Sequence, residues 1–501
     1  MEYNLNNKIF TSSGEVFTWL SRFINLEQGQ KPKSFRLDRM EILCELAGNP
    51  QRCAPSIHVA GSKGKGSVTS MLAAMLTSAG YRVARYMSPH VVDIRERICL
   101  SDIYFDEEVY VSAGNELRRI TEELLPALKK THSSAVSQPL AVSQPLAVAL
   151  FDPSTDEGCD PTFWELLTLL FFLCARYAKC DVITAETGMG GRLDSTNVLD
   201  PVVSVITLIE LEHTSILGST IQAIAGEKAG IIKQGRPLIL AKQCDEALEV
   251  FKQKAQEKNA PLLYFPDFAE LSNIKVTNQG TEFALKLSHL SSSLRVSVPP
   301  CESLFSIPLP GNVQAENAAL AIAALSVFSQ EVSHEDTSNL RFAAQRTRKE
   351  ISEDVIRKGL SDLKIPARFE KIAEEPPFII DGAHTPESLA LCIETFCSLY
   401  GEGGVLIFGC AADKDAAAMA GIAHNYFAKI IITTPGTFKT SNPEQVFDYF
   451  AKFTGTDKTL LIKDTREAVR QAIVFAKSGE KTLPVLGTGS FYLVSEIRKI
   501  V

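Results

Sequence analysis

Short apolar runs alternate with stretches of helical spacing over most of the chain. The run at Ser56–Ala60 ends in a glycine-rich turn, and residues 68–79 then have helical spacing up to Gly80. Further strand candidates lie at Val83–Tyr86, 181–185 and 202–208. Strand, loop, helix and strand in this order are typical of a parallel α/β sheet, and the Val/Ile-rich runs predict strands buried on both faces.

The same alternation restarts after Pro366 and predicts a second, smaller α/β unit of Rossmann type. Its five strand candidates lie at 378–380, 405–408, 430–433, 459–462 and 484–486. We place the boundary near residue 363, so that residues 1–363 form the larger domain with the parallel sheet and residues 364–501 form the Rossmann-like domain.

Three segments between these sheets have other patterns. Alternating residues at 282–287 and 294–298 predict a small antiparallel patch, and helices are predicted at 313–325 and 352–363. Residues 131–160 contain AVSQPL twice in tandem and several prolines. This low-complexity composition predicts a surface insertion without chemistry.

Composition and charge narrow the function. The 501 residues are 45% hydrophobic and 22% charged, which excludes disorder, collagen and coiled coil as the overall class. A net charge of −8 argues against a nucleic-acid-binding protein. The eleven scattered cysteines predict reduced thiols, and residues 166–175 are too short to span a bilayer. We expect a cytoplasmic monomer with no membrane or nucleic-acid partner.

The strongest local feature is the loop between the first predicted strand and helix. It consists of Gly61, Ser62, Lys63, Gly64, Lys65, Gly66 and Ser67. Glycines let the backbone approach phosphates, and the N–H groups and dipole of the following helix favour an anion. Lys65 can add a charge and Ser67 a hydroxyl for Mg²⁺. A glycine separates this lysine and serine, unlike in the common P-loop.

Acidic residues and histidines follow other predicted strands. Glu186 stands at a strand end, where Mg²⁺ would suit it, and the glycines and Arg192 after it suggest a loop that closes on an anion. Taken alone, His213 and Lys228 are more often structural or solvated than functional. An acid and a histidine, Asp381 and His384, share a strand end in the second unit.

The order of these motifs resembles folylpolyglutamate synthase, including its bifunctional dihydrofolate synthase form, within the Mur ligase superfamily. The motifs are HVAGSKGKGS (58–67), SPH (88–90), ERI (96–98), ETGMGGRLDSTN (186–197), EKAGIIK (227–233), ARFE (367–370), DGAH (381–384), DKD (413–415) and GTGSFYLVSE (487–496). The resemblance covers roughly residues 35–500, apart from 131–160 and 329–350.

The resemblance implies an ATP-dependent acid–amino-acid ligase. Its substrates would be L-glutamate and a reduced folate or dihydropteroate, and the γ-phosphoryl group of ATP would activate the acceptor carboxylate as an acyl phosphate. The implied cofactors are ATP and Mg²⁺, with room for a monovalent cation such as K⁺. A hinge between the two domains would close the cleft around the acyl phosphate.

Residue roles follow from the resemblance at matching positions. The loop 61–67 would bind the ATP phosphates, and the lysine that the superfamily carbamylates corresponds to Lys228. The implied catalytic residues are Lys65, Lys228 and His384. The implied metal ligands are Ser67, Ser88, Glu186 and His213. The implied nucleotide contacts beyond the loop are Asn317, Arg368 and Asp381. The implied substrate contacts are Arg192, His384 and Ser490.

Two positions depart from the family pattern, and three alternative functions stay open. The family usually has Asp where this chain has Glu212, and Asn where it has Thr385. The nearest alternative is another Mur-type ligase with a non-folate acceptor, such as a cell-wall nucleotide precursor, although only about 55 residues precede the loop's strand. A P-loop kinase or ATPase and a non-catalytic folate-binding module are the others.

Overall fold

The computed structural model describes residues 9–25, 35–126, 160–288, 302–334, 349–436 and 439–501. The repeated AVSQPL segment, the strand candidate at 294–298 and most of the charged stretch after 334 lie outside these ranges. Within them, no helix is long and apolar enough to cross a membrane.

The first half of the chain forms a seven-stranded sheet in the order β3-β2-β4-β1-β5-β6-β7. All neighbouring strands are parallel except β3, which pairs antiparallel with β2. The strands are β1 (Ser56–Ala60), β2 (Val83–Tyr86), β3 (Ile98–Leu100), β4 (Val182–Glu186), β5 (Val203–Ile206), β6 (Leu238–Leu240) and β7 (Leu262–Tyr264). The predicted parallel sheet is confirmed.

Helices cover both faces of this sheet, and its central strands are therefore fully buried. They are α1 (Ser13–Leu20), α2 (Asp38–Leu46), α3 (Lys65–Ser78), α4 (Glu107–Arg119), α5 (Phe163–Tyr177), α6 (Thr214–Leu217), α7 (Ile221–Lys228), α8 (Asp245–Glu257) and α9 (Phe265–Phe268). The apolar run predicted at 166–175 is buried inside α5, which packs with α1, α2 and α4.

A small antiparallel sheet and a long helix pack beside α3. The sheet has the order β10-β9-β8, with β8 (Ala269–Thr277), β9 (Gly280–Leu287) and β10 (Glu302–Ile307). The helices that follow are α10 (Asn312–His334) and α11 (Glu353–Ser361). Together with α3 they form one apolar core against the first sheet.

The second half forms a six-stranded sheet in the order β11-β12-β16-β13-β14-β15. The strands are β11 (Glu370–Ala373), β12 (Phe378–Ile380), β13 (Gly404–Phe408), β14 (Phe427–Ile432), β15 (Thr459–Leu461) and β16 (Val485–Thr488). The helices are α12 (Pro386–Tyr400), α13 (Ala416–Ala423), α14 (Pro443–Lys458), α15 (Thr465–Ala476) and α16 (Phe491–Ile500). Two apolar clusters cover its faces.

The pattern analysis missed strands at the edges of both sheets. β3 and β11 each pair antiparallel at an edge, and β6 and β7 contain only three residues each. β12 and β15 contain three residues each as well and were predicted, and β6 is a buried interior strand, so neither short length nor an edge position alone accounts for the missed strands.

Candidate functional site

Three neighbouring strands of the first sheet bring the predicted phosphate-binding residues to one edge. β4, β1 and β5 are adjacent and parallel. The chain leaves β1 into the loop 61–67, leaves β4 after Glu186, and leaves β5 into the segment that contains Glu212 and His213. Because parallel strands end on the same side, residues far apart in sequence meet here.

Two glycines fix the path of the loop. Gly61 has φ +146° and Gly64 has φ +87°, and both values disfavour a side chain. A Cβ at Gly61 would lie 1.8 Å from Thr207 Oγ1, and one at Gly64 would lie 2.3 Å from Asn317 Oδ1. Neither Gly61 nor Gly64 therefore has room for a larger residue, and Asn317 of α10 lies directly against the loop.

The helix that follows the loop begins without a side-chain cap. Gly64 is the N-cap residue of α3 and offers no side chain to the first N–H groups. Lys65 folds back over the loop, where its Nζ donates to the carbonyl oxygens of Gly61 at 2.8 Å and Ser62 at 3.4 Å. Uncapped N–H groups beside a lysine form a suitable site for phosphate.

Glu186 is a buried carboxylate beside this loop. Its side chain lies so close to α3 that a Cβ at Gly66 would be 3.2 Å from Oε2, and Ser88 N donates to the same oxygen at 3.4 Å. Burial raises the pKa of Glu186 to about 7, although the nearby Lys65 acts to lower it. A bound divalent cation would stabilise the ionised form, so the position fits Mg²⁺.

The other implied metal ligands line the same cleft. Ser67, Ser88 and His213 lie along its wall with Glu186. In the described ranges, no group of three or more His, Cys, Asp or Glu residues could hold a metal by itself. This donor set still fits Mg²⁺, which usually takes one or two carboxylates and completes its shell with water and substrate phosphates.

Lys228 lies beneath the loop rather than in the open cleft. Its side chain is fully buried, and its Nζ donates to Gly61 O at 2.8 Å and to Glu212 Oε1 at 2.6 Å. Burial, together with the charge of the neighbouring Lys65, lowers the pKa of Lys228 to about 8, although Glu212 acts to raise it. Glu212, which departs from the family's Asp, thus reaches the lysine directly. The carbamate on Lys228 stays a prediction.

The second sheet presents a comparable edge across the cleft. β12, β16 and β13 are adjacent and parallel, and they lead into Asp381, Ser490 and Gly409 respectively. Asp381 accepts hydrogen bonds from the N–H groups of Phe369 and Ala383, both at 2.8 Å, and burial raises its pKa. This carboxylate therefore holds the loop in shape.

The rings of His384 and Phe491 lie 5.8 Å apart, and Ser490 precedes Phe491 in the chain. His384 Nδ1 lies 2.8 Å from Gly382 O, and burial lowers the pKa of the imidazole to about 3, so the ring is neutral. Arg368 places its guanidinium 4.7 Å from the centre of the Phe491 ring on the same wall. Ser490 is the N-cap of α16, and its Oγ accepts from Tyr492 N at 3.1 Å.

One cleft of about 1570 Å³ lies between these two edges. Its lining includes Ser62 to Ser67, Ser88, Glu186, His213, Asn317, Arg368, Asp381, His384 and Ser490. Arg192 is not part of that lining: its guanidinium pairs with Glu227 at 2.8 Å and is more than half exposed. A direct role of Arg192 with substrate therefore stays a prediction.

A contact across the cleft was missed from the sequence. Lys63 Nζ donates to Thr385 Oγ1 at 3.0 Å, and Thr385 also caps α12. The sequence Thr385-Pro386, with Ser388 after it, is typical of a helix start, so the cap was detectable. The contact with Lys63 was not, because it depends on how the two sheets face each other.

Comparison with known proteins matches two parts of the chain to separate domain families. Residues 155–325 match the Mur ligase middle domain, and residues 367–489 match the glutamate ligase domain of Mur ligases. The dihydrofolate synthase/folylpolyglutamate synthase of Bacillus subtilis is 30% identical, covering 98% of this chain and 99% of the relative. The folylpolyglutamate synthase of Lacticaseibacillus casei is 30% identical, covering 92% and 93%.

Solved structures agree in fold over nearly the whole chain. The folylpolyglutamate synthase of Mycobacterium tuberculosis, complexed with ADP and AMPPCP, matches with a TM-score of 0.75 and 26% identity, covering 97% of both chains. An FPGS–AMPPCP–folate complex matches with a TM-score of 0.73 and 27% identity, covering 98% of this chain and 99% of the other.

Proposed function

Because this chain belongs to the dihydrofolate synthase/folylpolyglutamate synthase family, we propose that it joins L-glutamate to a reduced folate, and also to dihydropteroate, in an ATP-dependent reaction. The observation that carries this proposal is the cleft itself. An uncapped phosphate loop with a lysine faces an acid–histidine loop of the second sheet across it. A kinase or ATPase would leave that second loop without a role.

The reaction begins with activation of a carboxylate, which by itself is a poor acylating agent. The γ-phosphoryl group of ATP passes to the acceptor carboxylate, and ADP and an acyl phosphate result. The loop 61–67 binds the phosphates through its N–H groups, and Lys65 balances the negative charge of the transferred group. Asn317, Arg368 and Asp381 are the proposed contacts to the rest of the nucleotide.

The metal site follows the same reasoning. Ser67, Ser88, Glu186 and His213 would hold Mg²⁺, which neutralises phosphate charge when it is bound. A monovalent cation such as K⁺ is a further proposed cofactor. The Lys228–Glu212 pair supports the loop from below, because Lys228 holds the carbonyl of Gly61 in place.

The amino group of L-glutamate then attacks the acyl carbon, and the tetrahedral intermediate releases phosphate. His384 and Ser490 are the proposed contacts at this end of the cleft, with Arg192 as a further substrate contact. A neutral His384 suits this place, because it can accept a hydrogen bond from an ammonium group. Because the acyl phosphate is prone to hydrolysis, we propose that residues 1–363 and 364–501 close around it. We further propose that the protein acts as a monomer in the cytoplasm.

The test is ADP formation by the purified protein with ATP, Mg²⁺ and L-glutamate. One reaction contains dihydropteroate and another a reduced folate, and mass spectrometry identifies the products. Turnover with both acceptors supports the bifunctional activity, and turnover with the reduced folate alone supports a dedicated polyglutamate synthase. Failure of both acceptors would contradict the proposal and favour a Mur-type ligase with a non-folate acceptor.

A further inference from the structure

The hydrogen bond between Lys63 and Thr385 connects the phosphate loop to the second sheet. The two residues are 322 positions apart in the chain, and both line the cleft. Lys63 lies two residues before Lys65 in the same loop, whereas Thr385 follows His384 directly. The lysine amine therefore extends from the proposed phosphate site toward the proposed amino-acid site.

Further hydrogen bonds hold the backbone of Lys63 and the hydroxyl of Thr385 in place. On the loop side, the backbone N–H of Lys63 donates to Leu208 O at 3.2 Å. On the other side, Thr385 Oγ1 accepts from Ser388 N at 3.3 Å and lies 2.9 Å from Ser388 Oγ, within the cap of α12. Because the hydroxyl is fixed by the helix start, it offers the amine a single, defined position.

The charged groups around Lys63 include two cations that we propose bind the nucleotide, Lys65 and Arg368. Burial lowers the pKa of Lys63, the carboxylates of Glu210 and Glu212 oppose this, and Lys65 and Arg368 lower it further. Lys65 and Arg368 are the cations that we assign to the ATP. Lys63 therefore lies in a cluster of mixed charge, in which Lys65 and Arg368 are the other cations and Glu210 and Glu212 are the carboxylates.

We propose that Lys63 is a second phosphate-binding lysine and that Thr385 is its positioning residue, holding the amine for the terminal phosphate of ATP. The inference rests on the proposed function for the identity of the nucleotide, but not for the acceptor. The loop then presents both lysines correctly only when the second sheet faces it. This arrangement distinguishes ATP from ADP, which lacks the terminal phosphate.

The experiment compares the affinity of the full-length protein for AMPPCP and for ADP by calorimetry with Mg²⁺. We expect Lys63→Met to weaken AMPPCP binding by roughly tenfold and Thr385→Val by roughly threefold to tenfold, since a charged hydrogen bond is lost, with ADP affinity unchanged. The double variant should be no weaker than Lys63→Met, and Thr385→Ser should restore binding.

Thr162→Val is the matched control, because Thr162 also caps a helix, α5, but lies outside the cleft lining. It should leave the ratio of the two affinities unchanged. Equal weakening of AMPPCP and ADP, independent effects in the double variant, or no rescue by serine would overturn the proposal. If Thr385→Val does not fold, Thr385→Gly replaces it, because glycine is a tolerable N-cap without the hydroxyl, and it should weaken AMPPCP binding to the same extent.

The acceptor assay separates this inference from the proposed function. A wild-type protein that discriminates AMPPCP from ADP through Lys63 and Thr385, yet turns over neither acceptor, would retain this inference and lose the folate assignment. If the wild type turns over an acceptor, but the Lys63 and Thr385 variants discriminate AMPPCP from ADP as the wild type does, the folate assignment stands and this inference is wrong. A wild-type protein that binds neither nucleotide would overturn both.

Discussion

The two edges that face each other across the cleft are built alike but differ in how their helices begin. In the first sheet, α3 starts at Gly64, which leaves the first N–H groups without a side-chain partner. In the second sheet, α12 and α16 start at Thr385 and Ser490, whose hydroxyls accept from N–H groups of their own helices.

This difference assigns different tasks to the two edges. A helix start with free N–H groups can bind an anionic phosphate, whereas a capped start has already satisfied part of its donors. The second edge instead offers side chains, among them Arg368, His384 and the Thr385 hydroxyl. The comparison teaches that strand–loop–helix geometry alone does not make a phosphate site.

The largest expected effect is at the uncapped edge itself. Lys65→Met should lower the rate of ADP formation by roughly 100-fold to 1000-fold, because it removes the charge that we propose balances the transferred group. Steady-state ADP release measures it. The exposed Lys481→Met, outside the cleft lining, should retain the wild-type rate. A similar loss in both variants would mean that the lysine at the loop has no special role.

The next effect concerns the backbone of the loop. Gly64→Ala should abolish measurable nucleotide binding, because a Cβ there meets Asn317 Oδ1 and the residue has positive φ. Gly235→Ala is the matched control, since Gly235 has φ +67° with nothing within 4 Å of its Cβ. It should cost about 1–2 kcal/mol of stability and leave binding intact. Calorimetry and urea unfolding measure the two quantities.

A smaller effect tests the buried carboxylate at the same edge. The pKa of Glu186 rises on folding from 4.5 to about 7, so the folded protein binds the extra proton between these values. In metal-free protein this contribution to stability is therefore fully present below pH 4.5 and is lost as the pH rises through 7. It amounts to roughly 3 kcal/mol.

Urea unfolding of wild type and Glu186→Gln at pH 5 and pH 8 checks this sign. The wild type should lose more stability than the variant toward pH 8, and Mg²⁺ with an ATP analogue should restore the wild type alone. Parallel pH curves for the two proteins would show that Glu186 does not titrate in this range.

The smallest effect lies at a capped helix start of the opposite edge. Ser490→Ala should lower the unfolding free energy by about 1 kcal/mol and Ser490→Gly by only a few tenths, because glycine is a tolerable N-cap. Thermal unfolding measures this order. If Ser490 also contacts substrate, the KM for L-glutamate should rise equally in both variants, whereas a purely structural residue would leave it unchanged.

Much of the fold was predictable because its signals are local. The strand at Ser56–Ala60 was found at its observed place, and the helix predicted at 68–79 is confirmed as α3, which begins three residues earlier at Lys65. The antiparallel patch was also predicted, and β9 confirms its first stretch. The edge strand β11 pairs with β12, the next strand in the chain, and it was missed because its four residues are only half-buried and form no apolar run.

The candidate site divides in the same way. Glu186 and Asp381 were marked by their positions after buried strands, and both line the cleft. Arg192 was marked by its glycine-rich neighbourhood, yet it pairs with Glu227 outside the lining. A sequence shows which residues follow a strand, but the direction of a long side chain depends on the charges around it.

The sequence by itself determined the alternation of strands and helices around the main strands, the glycine-rich loop at 61–67 and the family to which the chain is similar. These depend on residue type and spacing along a short stretch of backbone. Only the tertiary structure decided that Lys228 is buried against Glu212, and that Lys63 reaches Thr385. The first contact forms because packing of α7 beneath the loop excludes water from Lys228, and the second forms only when the two sheets face each other.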